Sequence, residues 1–185
     1  PGKRIPLAAS FELYDAYGGL VTYTLHYPDE EVVSTWTTNE RGELTLPMAL
    51  GEGCYFLKEV AAPEGYVLDS EPAAFAVSAD YRGWDDPIVL TFEDAPQKGP
   101  VTVSKTNSET GSPVDGSTYI VKAEGDVSTP DGTLRYADGQ IVATLTTDAE
   151  GHATSEPLYL GTYTVYEAKA KDGYALDVAE HTVAL

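Results

Sequence analysis

Residues 53–69 read GCYFLKEVAAPEGYVLD, and residues 161–177 read GTYTVYEAKAKDGYALD. Tyr55 and Tyr163, Glu59 and Glu167, and Tyr66 and Tyr174 each stand 108 positions apart. The chain is therefore a tandem repeat, and any fold proposed for one copy has to serve the other. Within each copy, period-two alternation puts Tyr55, Leu57 and Glu59, or Tyr163, Val165 and Glu167, on a single strand face. A carboxyl group thus sits on an apolar face in both copies. Its desolvation has to be offset by protonation or by a specific partner.

With one recurrence in 185 residues, the length suits two domains, 1–98 and 99–185, each large enough for one modest core. No helical periodicity persists for three turns. Tyrosine outnumbers phenylalanine 13 to 4, and 17 glycines and 12 prolines punctuate the chain. That mixture predicts an all-β chain with tight turns. Strands are expected over 8–14, 20–27, 31–38, 43–46, 53–61, 66–68, 73–78 and 87–94. In the second copy they are expected over 101–106, 117–123, 140–147, 161–169 and 180–185. The loop 39–42 recurs as 148–151 at an offset of 109, so one residue was gained or lost before the glutamate strand.

The formal charge of −19 excludes nucleic acid and anionic membranes as partners, because both require a positive field. No apolar run approaches a membrane span, and no signal peptide is visible. The single cysteine, Cys54, cannot form an internal disulfide, so any covalent reinforcement must use other chemistry. His26, His152 and His181 lack ligand spacing, and the acidic pairs lack the pattern of a calcium loop, so neither metal nor cofactor is expected. Trp36 falls at the position of Leu145, which predicts a core role. Trp84 has no second-copy counterpart and is the candidate for an exposed ligand contact.

Two further ionisable groups fall on apolar faces. In residues 87–94, Ile88, Leu90, Phe92 and Asp94 share one side; at the start of the second copy, Val101, Val103 and Lys105 do. A lysine in apolar surroundings loses its proton more readily, and the neutral amine is a nucleophile. A glutamic acid in the same surroundings keeps its proton and can polarise the side-chain carbonyl of an Asn or Asp. Amine attack then forms an Nζ–C bond and expels ammonia or water, leaving an isopeptide. Taken singly, each group has another reading: the glutamates reaching solvent near strand ends, Lys105 snorkelling, Asp94 capping a turn.

The segments PLAASFELYD from Pro6, TTNERGELTLP from Thr37, YFLKEVAAPEGYVLD from Tyr55, FEDAPQKGPVTVSKTNSETGSPV from Phe92 and PLYLGTYTVYEAKAKDGYALD from Pro157 resemble the Cna B-type, or SpaA-type prealbumin-like, domains of Gram-positive pilins and adhesins. The likeness covers nearly the whole chain. It implies two tandem β-sandwiches of inverse immunoglobulin-like topology, each with a crosslink between first and last strands. It also implies that Lys105 is the amine donor and Glu167 the catalytic acid of the second domain, and that Glu59 is the acid and Asp94 the acceptor of the first.

Asp94 stands where the family more often has Asn, which makes water the leaving group, and Lys171 replaces the proline seen at Pro63. By the same offsets, the lysine matching Lys105 would precede Pro1 and the acid matching Asp94 would follow Leu185. The first domain is thus expected to lack its lysine-bearing strand and the second its acceptor strand, so that neither closes its crosslink within this stretch.

The resemblance implies an extracellular, cell-surface stalk module whose partners are neighbouring repeats, anchored to the cell wall through other parts of the protein. Crosslinking would be one autocatalytic event and not an enzyme activity. The alternative is a module binding a host protein or glycan through inter-strand loops such as that of Trp84. A glycan hydrolase built on Glu59 and Asp94 would need an open cleft where these strands predict a filled core.

Overall fold

The computed structural model describes residues 8–26, 28–83 and 87–185. The described residues contain strands and turns but no helix, and they divide into two compact units, Pro1–Ala95 and Pro96–Leu185. Each is a β-sandwich.

The first unit contains β1 (Ser10–Asp15), β2 (Tyr23–Leu25), β3 (Glu31–Val33), β4 (Thr35–Thr37), β5 (Gly53–Ala61) and β6 (Ala73–Val77). Its main sheet is antiparallel, in the order β4-β1-β5-β6. Alternation along β1 buries Phe11 and Leu13, the latter fully, and Trp36 enters the same core from β4. The core role expected of Trp36 is what the structure shows. Asp15 closes β1, its Oδ1 accepting from the amides of Tyr17 at 2.8 Å and Gly19 at 2.7 Å.

The second unit contains β7 (Lys98–Gly99), β8 (Thr102–Ser104), β9 (Thr118–Ala123), β10 (Val127–Ser128), β11 (Leu134–Tyr136), β12 (Ile141–Thr146), β13 (His152–Thr154), β14 (Leu158–Tyr159), β15 (Thr162–Lys169) and β16 (Glu180–Ala184). Its main sheet, β12-β9-β15-β16, repeats the order of the first, strand for strand. The ladders β13-β8 and β14-β7 carry Val101, Val103, Ala153 and Leu158 onto the same core as Tyr119, Val121, Leu145, Tyr163 and Val165. One face of every contributing strand is thus removed from water, which is the main stabilising term.

Four strand expectations are corrected. The expected strand 31–38 is two, because β3 pairs with β2 whereas β4 pairs with β1. Residues 43–46 lie outside any named strand, whereas their equivalent β13 pairs with β8. Residues 66–68 and 87–94 are likewise outside any named strand. Yet 90–94 keeps its alternation, with Leu90, Phe92 and Asp94 half-buried and Thr91 and Glu93 exposed, while Ile88, expected on the shielded face, is exposed. Phe92 packs against Phe11 with the rings tilted by 56° and their centroids 4.8 Å apart, and the Val67 amide donates to the Ala95 carbonyl at 2.8 Å. Side-chain packing holds this segment where ladder bonds do not. The hairpin β10-β11 was not legible in the alternation, since its strands are two and three residues long.

Candidate functional site

In the second unit, the inward phase of β15 buries Tyr163, Val165 and Glu167. Glu167 lies directly opposite Tyr119 of β9. Lys105 follows β8 on the facing layer, and its backbone is clamped on both sides. Its amide donates to the Gly151 carbonyl at 2.8 Å, and its carbonyl accepts from the Val114 amide at 3.0 Å. Gly151 ends the loop 148–151, where Asp148 Oδ1 accepts from the amides of Glu150 and His152. It has φ +77°, and a Cβ there would fall 2.5 Å from the Lys105 carbonyl oxygen. Only glycine allows the loop to come this close.

From that position Lys105 Nζ reaches Glu167 Oε2 at 3.3 Å, with the lysine side chain 17% exposed and the glutamate side chain fully buried. The same Oε2 accepts the Asp177 amide at 2.8 Å, while Oε1 is buried without a partner. Burial alone pulls the Lys105 ammonium down, but hydrogen bonding and charge from Glu167 and Tyr119 outweigh it, so the lysine is held above its ordinary value. Tyr119 is raised mainly by burial and by the Glu167 charge, with Lys105 opposing.

The first unit repeats half of this arrangement. Glu59 is almost fully buried opposite Phe11, and its Oε2 accepts the Asp69 amide at 3.0 Å. Glu59 Oε1 and Asp94 Oδ1 are both buried without hydrogen-bond partners, and among the described residues neither acid has an ion-pair partner. Burial pushes the Glu59 carboxyl up, the Asp69 amide partly offsets this, and the charges of Asp94 and Asp69 add to the rise. Asp94 is raised by burial and then by Asp69.

The structure therefore brings Lys105 and Glu167 together and sets Asp94 within electrostatic reach of Glu59. Trp84 lies outside the described residues. Four participants escaped the reading of the sequence: the Asp69 and Asp177 amides, Tyr119 and Gly151. Asp69 and Asp177 are 108 apart, as are Phe11 and Tyr119, so the repeat marked them without disclosing what they touch. Lys171, which replaces a proline, pairs at the surface with Asp115.

Among the described residues there is no group of side chains suited to a metal ion, and no helix long and apolar enough to cross a membrane. The second site holds a buried ion pair: burial opposes the Lys105 charge, but the hydrogen bond from Nζ to Glu167 Oε2 helps keep the proton on the amine.

The SpaA prealbumin-like fold domain family matches residues 6–84 and again 99–185. No curated protein matches the chain. Among solved structures, the Bacillus anthracis TIE protein aligns with 100% of the chain at 22% identity and a TM-score of 0.58. That similarity is one of fold. A streptococcal ancillary pilin aligns with 97% of the chain at 20% identity and a TM-score of 0.39. The shaft pilin SpaA from Lactobacillus rhamnosus GG covers 100% at 16% identity and a TM-score of 0.37. The chain spans 29%, 54% and 87% of these three proteins, respectively.

Proposed function

The chain belongs to the SpaA prealbumin-like fold domain family, and from that premise we propose that it is a structural stalk module of a pilin-like or adhesin protein on the Gram-positive cell surface. Its partners are the neighbouring repeats of its own protein. Its chemistry is one self-directed crosslinking event per domain, with Lys105 as amine donor and Glu167 as acid in the second unit. In the first unit, Glu59 is the acid and Asp94 the acceptor.

The observation that carries this reading is the buried contact of Lys105 Nζ with Glu167 Oε2 at 3.3 Å. Once the proton passes to Glu167, the amine can attack the side-chain carbonyl carbon of an acceptor Asn or Asp. The protonated Glu167 polarises that carbonyl and returns a proton to the departing ammonia or water. The buried, unpartnered oxygens Glu167 Oε1, Glu59 Oε1 and Asp94 Oδ1 suit such a reaction, because each offers a hydrogen-bonding position facing protein and not solvent. A domain tied in this way cannot be drawn out past its crosslink, so force bypasses most of the fold.

The test is the intact mass of the protein extended by one strand at each end, beside its Lys105→Ala and Glu167→Ala variants. A deficit of one ammonia or one water per domain is expected, with each variant regaining the deficit of the second domain. Full sequence mass throughout would remove the crosslinking chemistry from the proposal.

A further inference from the structure

The residue facing the buried glutamate differs between the two repeats. Opposite Glu59 stands Phe11, and opposite Glu167 stands Tyr119, at equivalent positions of β1 and β9. Both rings are core residues, 4% and 8% exposed. A phenylalanine therefore satisfies the packing at this position, and Phe11 packs against the tilted ring of Phe92. A tyrosine adds a hydroxyl that must find a partner inside the protein. In the second unit Tyr119 is the direct cross-strand neighbour of Glu167, whose Oε2 lies 3.3 Å from Lys105 Nζ, and the charges of both partners act on the phenol.

We propose that Tyr119 is a positioning residue for Lys105, its phenolic oxygen accepting a hydrogen bond from Nζ and fixing the amine beside Glu167 Oε2. The proposal deepens the reading of Lys105 as the amine donor and rests on it for its functional meaning. Lysine reaches this site on a four-carbon stem with many rotamers, and Glu167 Oε2 already divides its lone pairs between Nζ and the Asp177 amide. One anchor of 3.3 Å on a shared oxygen defines a distance but not a direction. A second anchor on the phenol defines both. When Nζ gives a proton to Glu167, the N–H toward Tyr119 keeps the amine in place and turns its lone pair away from the ring. No bond to Tyr119 forms or breaks.

The Phe11 equivalence supplies the variant. Tyr119→Phe in this same chain should fold, and NMR titration of the Lys105 side chain, assigned with Lys105→Ala, reads the outcome directly. The Lys105 titration is expected to move down relative to the wild type, and its acylation by a water-soluble amine reagent at fixed pH to rise several-fold. The reciprocal variant, Lys105→Met, should move the Tyr119 phenol further up, because the cation that opposes its rise is gone. If neither titration moves, Tyr119 is a packing residue and the proposal is overturned.

The two readings fail separately. A shifted Lys105 titration alongside a full-mass extended protein leaves the positioning role standing and removes the crosslink. A crosslink that forms equally fast with Phe at this position, with Lys105 titrating unchanged, does the reverse.

Discussion

The Gly151 α-carbon lies against the Lys105 carbonyl oxygen so closely that a methyl group on it would come within 2.5 Å of that oxygen. The loop of the repeat is in this way part of the site, since it sets the backbone from which Lys105 reaches Glu167.

Gly151→Ala should consequently cost more than the φ of +77° alone would exact. Gly111 is the internal control: it has φ +72° in the same unit, and a Cβ there would meet nothing within 4 Å. Gly111→Ala is predicted to destabilise by about 1 kcal/mol, the strain of a left-handed alanine. Gly151→Ala should cost about 3 kcal/mol, because backbone must also move. Chemical denaturation followed by circular dichroism measures both; equal losses would show that the close approach relaxes freely.

The Lys105–Glu167 pair yields a double-mutant cycle. Glu167→Gln retains an acceptor for the Asp177 amide but leaves the mostly buried ammonium without its counter-charge. A loss of about 3 kcal/mol is expected, with Lys105→Met/Glu167→Gln recovering much of it. Additive single-variant costs would mean that the two side chains do not interact in solution.

The first unit should gain stability on mild acidification. Glu59 and Asp94 are both raised in the folded protein, by burial first and then by the charges of their acidic neighbours, with the Asp69 amide opposing for Glu59. A raised pKa means that the folded state binds protons more tightly than the unfolded one. The contribution is then fully present below the unfolded carboxylate values, about 4, and is lost as pH rises through the folded ones. Both tryptophans, Trp36 and Trp84, belong to this unit, so tryptophan fluorescence follows its unfolding selectively. The denaturation midpoint should fall between mildly acidic and neutral pH, and Glu59→Gln with Asp94→Asn should flatten that fall. An unchanged slope in the double variant would place the titrating groups elsewhere.

Much of the site was legible before any coordinates because strand alternation assigns faces. Glu59, Glu167 and Lys105 fall inward by counting in twos, and the 108-residue repeat doubles the evidence for each glutamate. The same counting put Ile88, Leu90, Phe92 and Asp94 on one side, which holds for the last three but not for the exposed Ile88, and it named a strand where no ladder forms. Alternation reports which side chains are shielded, whereas a ladder needs another backbone alongside.

The repeat, the all-β character and the inward phase of the ionisable side chains are all local properties, set by periodicity and by the types of residue at turns. What those side chains meet depends on the packing of distant segments. The Asp69 and Asp177 amides reach the glutamates from loops ten residues downstream, Tyr119 stands beside Glu167 on the neighbouring strand, and Gly151 supports Lys105 from a third segment. Such contacts arise from how sheets stack and loops fold back, and pairings between distant segments leave no periodic trace in either partner.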